Sequence, residues 1–161
     1  MKYVPTLIAG VIAAGVIGTT AISDSHADKA TMSAIKARQS LMSLQAFNIG
    51  LLGGMAKGEV EYNADAATAA ATNLAALAKM DQSRMWPPGS DNAALGDDVT
   101  EALPAIWAAD SKIGDDAMAL VEATAAMQTA AGEGLDALRG AIGPVGKACG
   151  GCHENYRKAN D

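Results

Sequence analysis

The chain is poor in aromatic residues, histidine and cysteine: one Phe, three Tyr, two Trp, two His and two Cys in 161 residues. It has no stripe of basic residues either. Lys and Arg number 12 against 18 Asp and Glu, a net charge of −6. An acidic chain without a Lys/Arg face cannot neutralise a phosphate backbone, so nucleic acid is excluded as a partner. No nucleophile–base set and no acid/base pair stands in a motif, and His153 is the one histidine outside the N-terminal stretch 1–27, which leaves no second His for peroxidase-type chemistry, so the chain is not expected to be an enzyme. A disulfide staple is a weak use for Cys149 and Cys152, because a C-x-x-C loop is too small to gain much chain entropy. No segment alternates with period 2 over strand length, and there is neither an internal repeat nor a low-complexity linker.

What is present begins with a targeting pattern. "MKYVPTLIAGVIAAGVIGTTAISDSHA" has a basic start at Lys2, an apolar run from Val4 to Ile17, and a small-x-small end at Ser25-His26-Ala27. That is the layout of a secretory signal, with cleavage expected after Ala27. The competing reading is an uncleaved anchor, but the run is about 14 residues where a span needs roughly 20. Residues 28–161 then form one exported domain, expected in the periplasm. Its charge stays at −6, since Lys2 and Asp24 leave together.

Helical periodicity predicts four segments. The first covers about Thr31 to Lys57, with Ile35, Met42 and Ile49 at heptad spacing. The second, alanine-rich, covers Asp65 to Met85, with Leu74, Leu77 and Met80 facing inward. "WPPGSDN" ends it, and a long connection from Trp86 to Asp110 holds one turn near Glu101 to Trp107. The third covers Ser111 to Ala131, with Ile113, Leu120 and Met127 inward. The fourth runs from Leu135 to Lys158, its first half weakened by Gly140, Gly143 and Pro144, where a kink or restart is expected. The pattern predicts an all-α protein, an antiparallel four-helix bundle.

The chemistry is concentrated in "KACGGCHENYR", Lys147 to Arg157. Cys149-x-x-Cys152-His153 is the attachment signature of a c-type haem. On a helix, positions i, i+3 and i+4 share a face. Two thiols can therefore add to two vinyl groups while the imidazole reaches the iron. A structural zinc site needs four ligands, and the exported chain has three such residues. A thioredoxin-like pair wants a βαβ context that is missing. Only Glu154 to Asp161 follow the motif, without Met or His, so any second axial ligand comes from an upstream helix.

The chain resembles the class II cytochromes c, that is, cytochrome c′ and its low-spin relatives. The resemblance rests on "ARQSLM", "MAKGEVEYN", "WPPGS", "ALPAIW" and "GKACGGCHENYR", in that order. It implies a four-helix bundle enclosing one covalent haem c, usually a homodimer built through the first two helices. It also implies thioether anchors at Cys149 and Cys152, an iron ligand at His153, and Arg38 and Gln39 beside the propionates. Glu101 corresponds to a position that can touch the haem edge, and Arg157 to a basic residue of the proximal pocket. Arg38 also falls on the inner face by spacing, where a charge needs a partner. Its alternative is to snorkel to solvent or pair with a protein carboxylate. For Arg157 the alternative is a solvated arginine at a helix C-terminus.

Met42 corresponds to the distal position. As an apolar plug it leaves the iron five-coordinate and open to nitric oxide or carbon monoxide. As a ligand it makes a six-coordinate, low-spin carrier, Met/His ligation raising the potential. As a core residue it merely fills space. The function expected is one-electron transfer with periplasmic redox proteins, together with diatomic gas binding at a five-coordinate iron. A dedicated nitric oxide binder and a Met42-ligated carrier are the alternatives.

Overall fold

A computed structural model describes residues 28–159. The signal segment expected at 1–27 lies outside the described residues. Asp28 opens the first helix, α1 (Lys29–Lys57), its carboxylate accepting from Thr31 N at 2.7 Å. Gly58, at φ 79°, closes it in the left-handed conformation that glycine adopts without strain. Asn63 caps α2 (Ala64–Lys79), accepting from Ala66 N at 2.9 Å. A one-turn helix, α3 (Asn92–Leu95), lies in the connection, followed by α4 (Ile113–Ala130) and α5 (Leu135–Tyr156).

The four long helices pack in a ring, α1 on α2, α2 on α4, α4 on α5 and α5 on α1. Short links at 58–63 and 131–134 send the chain back, giving the antiparallel bundle. The main core is Leu52, Met55, Leu74, Met127, Leu138 and Val145 with small alanines of α2 between them, all 4% exposed or less. Alanine lets the helices approach closely at this end, and a Cβ on Gly132 would meet Thr68 Oγ1 at 2.6 Å. Tyr62 bridges the same end: its hydroxyl donates to Ala131 O at 2.9 Å and accepts from Gly134 N at 3.0 Å. A smaller cluster of Ala102, Ile106 and Tyr156 sits at the other end, with Trp86, Trp107, Ile113 and Cys152 against it.

Several expectations need correction. The second helix stops at Lys79, not Met85, because Met80 is already extended at ψ 141° and Asp81 accepts from Ser83 N to start a 3-10 turn, Ser83–Met85. Met80 is therefore 42% exposed, not inward. On α1 the buried face runs Ile35, Arg38, Leu41, Gln45, Asn48 and Leu52, leaving Met42 and Ile49 half-buried at its margin. The last helix is unbroken through Pro144. Pro144 removes the bond to Gly140 O, but both residues are exposed, so water can satisfy that carbonyl. The turn expected near Glu101 is the 3-10 turn Pro104–Trp107, whereas α3 is unanticipated.

Candidate haem site

Cys149, Cys152 and His153 lie on the last two turns of α5, and the end of that helix is tied down from outside the bundle. Leu103 N donates to Tyr156 O at 3.0 Å and Lys158 N to Glu101 O at 2.8 Å. These two bonds pair residues 101–103 with 156–158, in an antiparallel bridge between Ala102 and Arg157. Side chains reinforce it. Arg157 Nε is 2.9 Å from Glu101 Oε2, Lys158 pairs with Asp97, and the Tyr156 hydroxyl accepts from Lys112 N at 2.7 Å. The connection is thereby fastened to the helix that carries the C-x-x-C-H motif.

Between them and α1 lies a cavity of about 1270 Å³. Protein interiors are close-packed, with few voids larger than a water. A ligand pocket is typically ~300–1,000 Å³. A space of this size therefore calls for a large occupant. Of the eight residues singled out in the sequence, seven line it: Arg38, Gln39 and Met42 from α1, Glu101 from the connection, and Cys152, His153 and Arg157 from the end of α5. Cys149 is not among the lining residues. It is half-buried one turn earlier and packs against the main core.

The walls fit a haem. Ile106, Trp107, Ile113 and Val121 are apolar surfaces for a macrocycle, with a thiol and an imidazole side by side on one wall and a guanidinium on another. Burial pushes the Cys149 thiol up and the Cys152 thiol to about 11, with Asp116 and then Cys149 adding to the latter. Burial, with Arg157 beside it, lowers His153 below 6.5 against the opposing pull of Glu101. At neutral pH the imidazole is therefore uncharged, the form that ligates a metal.

Arg38 is 3% exposed. Its Nη1 donates to Ser90 Oγ at 2.6 Å and Met85 O at 3.4 Å, and its Nη2 to Ser90 O and to Thr100 Oγ1 at 2.7 Å. Its Cζ lies 4.9 Å from the centre of the Trp86 ring. Gln39 is exposed and donates from Nε2 to Val99 O at 3.0 Å. Ser90, Thr100 and Trp86 were not singled out as site residues in the sequence. Ser90 does stand in "WPPGS", one place after Gly89 at φ 77°, where the turn buries it completely.

The family described as Cytochrome C' matches residues 33–157. A cytochrome c-554 of Cereibacter sphaeroides is 46% identical over 125 residues, covering 77% of this chain and 80% of the relative. A cytochrome c′ of the same organism is 42% identical over 125 residues, covering 76% and 81%. The solved cytochrome c′ from Rhodobacter spheriodes superposes with a TM-score of 0.77 at 38% identity, covering 81% of this chain and 98% of that one. A bundle of this topology, a haem-sized cavity walled by the C-x-x-C-H helix, and this extent of likeness lead to one conclusion: the chain belongs to the cytochrome c′ family, whose members carry covalent haem c.

Proposed function

We propose that the chain is an exported, periplasmic monohaem cytochrome that carries one electron at a time. It holds the haem through thioether bonds to Cys149 and Cys152, with His153 as the iron ligand. The observation that carries this proposal is the meeting of Cys152, His153, Met42 and Arg38 around one cavity, although the chain separates them by more than a hundred residues. The bound haem supplies an Fe(III)/Fe(II) couple. The protein's own groups do the rest. Neutral His153 offers a lone pair, the apolar walls exclude water, and Arg38 places a positive charge where the propionates need one, with Gln39 beside it. Glu101 and Arg157 hold the helix end against the connection, at the haem edge and the proximal pocket respectively.

On the distal side we assign Met42 the role of an apolar plug over a five-coordinate iron, open to nitric oxide and carbon monoxide. Two solved single-site variants of the Alcaligenes xylosoxidans cytochrome c′, 29% and 28% identical, hold carbon monoxide and nitric oxide respectively, which supports this assignment. The alternative, a low-spin carrier ligated by Met42, rests on the place of that side chain in the cavity wall. The visible spectrum of the reduced protein decides between them. A broad high-spin spectrum that responds to carbon monoxide and persists in Met42→Ala is expected. Sharp low-spin bands that ignore carbon monoxide and collapse in Met42→Ala would reverse the assignment. The haem itself is tested by mass: Cys149→Ser with Cys152→Ser should release it to acid-acetone, whereas the natural chain retains it. A colourless protein with a Cys149–Cys152 disulfide would sink the proposal.

The partners proposed are periplasmic redox proteins and a second copy of this chain. Leu44 and Phe47 lie on the outer side of α1, 51% and 76% exposed, and they suit an interface between copies. One related cytochrome c′, 30% identical, is described by its ligand-controlled dimer dissociation. No helix among the described residues is long and apolar enough to cross a membrane. No enzymatic reaction is proposed.

A further inference from the structure

Arg38 is a buried charge whose four acceptors are all neutral: two hydroxyls and two backbone carbonyls. Ser90 is 0% exposed, Thr100 3% and Arg38 3%. Asp91 acts on the guanidinium through space, but burial outweighs it and lowers the arginine's pKa. Burying a charge is costly unless its donors are matched. A carboxylate would match them and also cancel the field. Hydroxyls match them without cancelling the charge, so the guanidinium keeps its full charge to set against the propionates on the cavity side, and the Trp86 face adds a cation–π attraction without adding charge.

We infer that Ser90 and Thr100 are positioning residues: they pin Arg38 as a fixed positive charge on the cavity wall and thereby raise the reduction potential of the haem. This inference rests on the haem assignment above and is independent of the distal ligand. Reduction lowers the charge of the iron by one, so a fixed positive charge nearby favours the reduced state, more strongly in a low-dielectric interior than in water. Without the hydroxyls the guanidinium loses two of its four acceptors. The outlet left to it is the cavity that it lines with exposed Gln39, where water and salt reach its charge and screen it. The potential should then fall.

Thr100 Oγ1 also accepts from Ala102 N at 3.2 Å, in the segment that pairs with α5, whereas no such bond involves Ser90 Oγ. Two sites thus report separately. The experiment is a spectroelectrochemical titration of the haem-bearing protein and its variants. Arg38→Met should shift the oxidised-to-reduced ratio at fixed poise about tenfold toward oxidised, which is 59 mV for a one-electron couple. Ser90→Ala and Thr100→Val should shift it the same way by a smaller factor, while Thr100→Ser, which keeps the hydroxyl, should match the natural chain.

A packing role predicts the opposite order at position 100, because serine deletes a buried methyl and valine keeps the branched shape. Equal loss in Thr100→Ser and Thr100→Val overturns the inference. So does a potential unmoved by Ser90→Ala and Thr100→Val when Arg38→Met lowers it, or unmoved by all three. If Arg38→Met does not fold, the Ser90 and Thr100 variants still decide. A natural chain that binds no haem would refute the functional proposal instead, before any titration begins.

Discussion

Met42 and Arg38 occupy neighbouring turns of α1, yet they face different demands. Arg38 is held on four sides, whereas Met42 is half-buried at the margin of the packed face, where its side chain is free to lie over the cavity. Several surface carboxylates are equally specific in their partners. Asp28 is held below its usual 3.8 by the Thr31 N–H, Asp81 by the Ser83 N–H, and Asp97 by Lys158 and then Asn92. Each has a folded pKa below its unfolded one. The stability each contributes is therefore complete above about pH 3.8 and is lost as pH falls through the folded value. The share of the urea midpoint that these three carboxylates supply should stay flat down to roughly pH 5 and drop below pH 4, whereas a fall between neutral pH and pH 5 belongs to His153, whose folded pKa is also lowered. Asp97→Asn should blunt that drop; a midpoint that rises on acidification contradicts the assignment.

Among the elements, α5 was the least legible. Its motif could be read at sight from Cys149, Cys152 and His153, but Gly140, Gly143 and Pro144 suggested a break that does not occur. Local rules count the lost N–H and the ring clash; they do not see that the freed carbonyl of Gly140 faces water, or that Val145 and Leu138 are fully buried on the other side of the helix. Pro144→Ala restores the missing N–H and should raise the unfolding free energy, by on the order of 1–3 kcal/mol. A lower stability on denaturant titration would mean that the ring packs against something the alanine cannot replace. The bundle helices were legible from periodicity and turn residues, with errors at the ends. The connection was not. Ser90 and Thr100 gain their roles only when the chain folds back by 52 and 62 residues to meet Arg38, and no local pattern encodes that meeting.

Across the whole molecule, exposed large apolar side chains fall in different places. Met80 and Met118 rim the cavity, while Leu44 and Phe47 lie on the outer side of α1. A Phe that is 76% exposed, the single one in the chain, is a costly feature for an isolated monomer. Phe47→Glu should shift the haem-bearing protein from dimer to monomer in sedimentation velocity, without changing its visible spectrum. A natural chain that sediments as a monomer at high concentration would rule out the homodimer.

The C-x-x-C motif has one further consequence. Cys149 packs against the large core and Cys152 against the small cluster at the opposite end, so the two sulfurs stand on either side of a seam between separately built regions. A haem bonded to both, as proposed, would span that seam like a rivet. Before attachment the two regions are expected to melt as separate units. Afterwards neither region can come apart alone, and the unattached and attached chains should differ less in shape than in how many cooperative units they melt as.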